Sequence, residues 1–79
     1  MRLVSIKNGR DFNYDTSRLV IYESTEETTK ESIHVIRAVE NISGAEMQIA
    51  KSFNKTEIEG KMREIADAYA KGQKVYFVD

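Results

Sequence analysis

Cysteine is absent from this 79-residue chain, and histidine occurs once. Without cysteine there is no disulfide scaffold, thiolate zinc site, iron–sulfur cluster or cysteine nucleophile. The lone His34 has no partner assignable by spacing, so it reads as a partly buried strand residue rather than a metal ligand or catalytic base. A basic excess is missing too. Lys and Arg number 12 against 13 Asp and Glu, a net charge of -1. Up to Glu40 there are six bases against seven acids, and after it six against six. Neither half has the charge of a nucleic-acid-coating protein.

Long apolar runs are also lacking. The longest aliphatic run is Leu19-Val20-Ile21, far short of the ~20 residues that span a bilayer. No apolar stretch of signal-peptide length follows Met1-Arg2-Leu3. Together with the absence of cysteine, this points to a cytoplasmic protein. The glycosylation-type triplets Asn41-Ile42-Ser43 and Asn54-Lys55-Thr56 then read as chance matches. No Ser lies in a G-x-S-x-G setting, and no glycine-rich loop precedes a helix. The expectation is a chain that is not an enzyme and holds no cofactor or metal.

What is present is enough for one small domain. Hydrophobic residues make up 41% of the chain, which argues against wholesale disorder. A chain this short buries only roughly 60% of its unfolded surface, so its core is small. The clearest element is a helix after Asn54. Ile58, Met62, Ile65, Ala66 and Tyr69 fall on one stripe of a 3.6-residue period. Asn54 with Glu57 forms a capping box, and Phe53 with Ile58 a hydrophobic staple. Lys71 and Gly72 mark the stop. Glu57–Lys61, Glu59–Arg63 and Asp67–Lys71 offer acid-to-base pairs on the outer face. Gly60, in mid-helix, reads as drift or as close approach of a partner backbone.

Strand patterns surround the helix. Leu3–Lys7 and Arg10–Tyr14 flank Asn8-Gly9, a two-residue hairpin signal that sets Ser5 opposite Phe12 and Leu3 opposite Tyr14. Asp15-Thr16-Ser17 makes the next turn. Arg18–Glu23 and Gln73–Val78 carry apolar runs without alternation, as strands covered on both faces do. Ala45–Phe53 alternates with Ala45, Met47, Ile49 and Phe53 on one side. Lys51 breaks that parity and would have to snorkel. Ile33–Glu40 reads as a strand on its β-branched content, the alternative being a second helix within 25–42. Ile42-Ser43-Gly44 then turns the chain. Glu23, Glu26, Glu27 and Glu31 mark an exposed acidic loop.

The expected fold is α+β: a β-β-β-β-β-α-β order in two layers. An antiparallel meander is followed by one helix and a last strand parallel to the strand ending at Phe53. A single helix covers only two or three strands of such a sheet. That leaves Val20, Tyr22, Ile36, Ala38, Tyr76 and Val78 as candidates for a second apolar surface. The expected function is a non-enzymatic protein-interaction module that forms a homodimer. The alternative is single-stranded nucleic-acid binding by Arg10, Phe12, Tyr14, Arg18 and Arg37, aromatics interleaved with Arg on a sheet.

Overall fold

A computed structural model describes residues Met1–Asp79. In chain order it holds β1 (Arg2–Ser5), β2 (Arg10–Asn13), a 3-10 turn (Tyr14–Thr16), β3 (Ser17–Thr25), β4 (Ser32–Glu40), β5 (Glu46–Ser52), α1 (Lys55–Ala70) and β6 (Val75–Phe77). The expected order of five strands, a helix and a strand is present. Residues 25–42 contain no helix; they form the tip and second strand of a hairpin.

The strands do not make one sheet. They make two of three strands each, ordered β2-β1-β6 and β3-β4-β5. The break lies between β2 and β3. Asn13 accepts a hydrogen bond from the Asp15 N–H at 2.9 Å through its side chain, and the 3-10 turn it caps leads the chain into the second sheet. Likewise β6 does not join β5. It runs parallel to β1, with Leu3 opposite Tyr76 and Val4 opposite Phe77.

The first hairpin also differs from expectation. Leu3 pairs with Phe12 and Ser5 with Arg10, so the loop spans Ile6–Gly9 rather than Asn8-Gly9 alone. Gly9 takes a φ of 60° and donates its N–H to the Ile6 carbonyl at 3.3 Å. Ser5 explains the longer loop. Its side chain is fully buried, and its Oγ accepts from the Asn8 N–H at 3.1 Å and the Asn8 Nδ2 at 2.9 Å. The same hydroxyl donates to Asp79 Oδ2 at 2.6 Å. Asp79 Oδ1 accepts the N–H groups of Ile6 at 2.8 Å and Lys7 at 3.3 Å. One carboxylate thus ties the segment after β6 to the loop after β1.

Both sheets and the helix share a core of Leu3, Phe12, Ile36, Ala38, Met47, Ile49, Ile58, Ile65 and Val78. In β5 the register slips: Ile36 faces Ala50 but Arg37 faces Gln48, leaving Ile49 without a partner. This bulge reverses the parity of the strand. Lys51 therefore turns outward, and Phe53 is left 55% exposed. No snorkelling is needed, and the staple expected from Phe53 contributes little.

The helix is capped as expected. Asn54 Oδ1 accepts the Thr56 N–H at 2.9 Å. Glu57 does not reach back to Asn54; it accepts from the Ser52 hydroxyl, which in turn accepts the Asn54 N–H. Gly72, at a φ of 78°, and Gln73 close the far end by donating to Tyr69 and Ala68. The buried stripe runs through Ile58, Ile65 and Ala68, while Ala66 faces solvent. The ion pair seen on this helix is Lys61–Glu64 at 3.8 Å, not the expected i,i+4 pairs. Beyond its chain neighbours and the helix's own backbone, no atom lies within 4 Å of where a Gly60 Cβ would stand, so no other part of the chain requires glycine there.

Two outcomes follow. Asn54→Ala is expected to cost about 0.5–2 kcal/mol, read as a lower urea midpoint at unchanged slope; an equal midpoint would place the cap elsewhere. Asp79 is held below the usual carboxylate range by the Ser5 hydroxyl and by the Lys7 and Ile6 N–H groups, against a smaller opposing effect of burial. Its stabilisation is complete above the unfolded pKa and is lost as pH falls through the folded value. Urea midpoints of the wild-type and Asp79→Asn chains should therefore differ at pH 7 and converge well below pH ~3.9. A difference that is constant with pH would contradict the clamp.

Candidate interaction surface

Pairing in the β3-β4-β5 sheet assigns every residue to a face. Ile36 and Ala38 of β4 point into the core, with Leu19 of β3 and Met47 of β5 beside them. His34 shares that face and is buried, opposite Glu23 and Ser52. The odd-numbered residues of β4, Ile33, Val35, Arg37 and Val39, point the other way. Across from them lie Ser24, Tyr22, Val20 and Arg18 of β3, and Lys51, Gln48 and Glu46 of β5.

This second face is the candidate site. A shallow depression of about 540 Å³ runs over it, lined by Tyr22, Ile33, Val35, Arg37, Gln48 and Lys51 among others. Ile33 and Val39 are buried, Val20 and Val35 are half-buried, and Tyr22 is 47% exposed. The rim is charged. Arg37 lies 3.7 Å from Glu46 and stacks its guanidinium 6.0 Å from the Tyr22 ring centre. Arg18 reaches the Asn41 side chain at 3.5 Å. At one end the Glu40 carboxylate is held below the usual range by the Ser43 hydroxyl and N–H. At that end the β4–β5 loop exposes Ile42.

Of the six residues expected to form a second apolar surface, Val20 and Tyr22 lie on this face. Ile36, Ala38 and Val78 belong to the core, and Tyr76 packs against it. The Tyr76 hydroxyl donates to Glu64 at 3.1 Å, and Lys61 sits 5.2 Å from its ring. The physical reason is strand parity: a run of apolar residues does not disclose which half faces inward. On β6 the outward residue is Phe77, 57% exposed and opposite Val4. Ile33, Val35 and Val39 were the residues missed on β4, although the period of two already grouped them.

The residues of the nucleic-acid alternative do not converge. Phe12 is in the core, and Tyr14 packs on Tyr69 with ring centres 4.8 Å apart. Tyr69 donates to Asp15, which lowers the pKa of that carboxylate and raises that of the phenol. Arg10 donates to the Glu46 carbonyl, and Arg18 and Arg37 lie on the outer face of the other sheet. No aromatic platform with flanking arginines results. The acidic residues at 23–31 lie at and before the β3–β4 hairpin tip, and no group of three or more potential metal ligands gathers anywhere in the chain. No helix is long and apolar enough to cross a membrane. No protein-family model, curated protein or solved structure matches the chain.

The contrast between Phe12 and Arg18 is measurable. Phe12→Ala is expected to cost about 3–5 kcal/mol of stability as a core truncation, whereas Arg18→Ala should stay within about 0.5 kcal/mol. Urea unfolding reads both; a Phe12→Ala chain of unchanged stability would remove Phe12 from the core.

Proposed function

We propose that this chain is a small non-enzymatic protein-interaction module that associates with a second copy of itself through its β3-β4-β5 sheet. The observation that carries this reading is the two-sidedness of that sheet. One face meets the helix and the smaller sheet. The other presents Val20, Tyr22 and Val35 around Arg37 at its centre, with Arg18, Glu46, Gln48 and Lys51 on the flanking strands. Aromatic residues and arginine beside apolar side chains are enriched where protein partners meet. Twofold pairing of identical surfaces is the commonest way for a soluble chain to use one.

Sedimentation equilibrium at tens of micromolar tests the reading. The expected mass is twice the chain's 9.1 kDa, with dissociation on dilution. A single-chain mass at every concentration would contradict it.

A further inference from the structure

The four outer strands of the two sheets are not equally open. β2 has four residues and β6 three, too short to template another strand. β5 is interrupted by its bulge, and Arg10 already caps its Glu46 carbonyl. β3 is different. It has nine residues, each paired with β4 from Ser17–Glu40 to Thr25–Ser32 without a slip. Lysine, proline and bulges are missing from it, and its two charges, Arg18 and Glu23, lie on either side of the apolar run Leu19–Tyr22.

The backbone pattern shows which groups are open. Asn41 donates its N–H to the Thr16 carbonyl, and Glu26 donates to the Glu31 carbonyl. In an antiparallel ladder these two bonds make the even-numbered residues of β3 the ones that exchange hydrogen bonds with β4. Leu19, Ile21, Glu23 and Thr25 therefore turn their N–H and C=O groups to the free edge, whereas the Ser17 N–H is taken by Tyr14.

We infer that the occupant of this edge is β3 of a second copy, running antiparallel about a twofold axis at Val20. The inference rests on the self-association proposed above and places its contact at the edge of that sheet, where the outer face continues from one copy into the next. In this register Leu19 and Ile21 of each copy face each other, and each such pair exchanges two backbone hydrogen bonds. On the outer face Val20 meets Val20, and Arg18 of each copy lies opposite Tyr22 of the other, a cation beside an aromatic ring. Ser17 lies opposite Glu23, so no like charges oppose. Moving the register two residues toward the hairpin tip sets Glu23 against Leu19. Moving it the other way sets Arg18 against Val20. The pairing joins the two meanders into one six-stranded sheet and covers Ile21, which is 38% exposed in the single chain.

The absence of cysteine makes the test direct. A Val20→Cys chain places two thiols across the axis as a non-hydrogen-bonded pair, with Cα atoms ~4.5 Å apart, inside the ~4.4–6.8 Å that a disulfide spans. It should oxidise to a covalent dimer, while Val35→Cys, one strand further from the axis, should not. Ile21→Pro removes an edge N–H without touching the β4 ladder and should raise the dimer dissociation constant more than ~tenfold. If Ile21→Pro does not fold, the two cysteine chains decide. A dimer that crosslinks through Val35→Cys and not Val20→Cys, or that is indifferent to Ile21→Pro, would overturn the edge pairing while leaving self-association standing. A wild-type chain that stays monomeric would remove both.

Discussion

Ile36 and Ala38, fully buried at the centre of β4, are the residues on which the fold converges. Their face of the strand receives Ile58 and Ile65 from the helix, Met47 and Ile49 from β5, and Leu3 and Phe12 from the other sheet. A helix is ~10 Å across, and strands are spaced ~4.8 Å apart. One helix of 16 residues and one small sheet suffice for that face and for no more. The uncovered opposite face follows from this limit.

Closure of the core depends on contacts distant in sequence. The β2-β1-β6 sheet gains its third strand only after the helix, and the Asp79 carboxylate then holds that strand's end against the loop beyond β1. The Ser5 hydroxyl between them is buried but satisfied on every side, so it costs little to bury. The meander of β3, β4 and β5 is local by comparison, its strands joined by hairpins. The long-range closure and the proposed self-association thus involve different strands.

Much of this was legible in the residues. The N-cap at Asn54, the stop at Gly72 and the β-branched run through β4 are local signals, and each has its expected structure. The parity fault at Lys51 was visible, but the snorkelling read from it was wrong: the bulge at Ile49 is its cause. Sheet membership was not. Whether β2 continues into β3 depends on how the Asn13 side chain caps Asp15, and where β6 docks depends on Leu3 and Asp79, more than seventy residues apart. The candidate surface was half legible. Val20 and Tyr22 were recognised as apolar residues in excess of the core. Choosing Ile36 and Ala38 over Val35 and Arg37 required knowing which side of β4 the helix takes, which is a tertiary property.

β3 is the open edge of a one-sided sheet, closed in the proposed dimer by its own copy. Residue-resolved amide hydrogen exchange, compared at dilute and concentrated protein, tests it most directly. Amides of Arg18, Val20 and Tyr22 should be protected at both concentrations, because β4 holds them. Amides of Leu19, Ile21 and Glu23 should exchange freely when dilute and become protected when concentrated. Equal exchange of these three at both concentrations, in a chain that dimerises, would contradict the account.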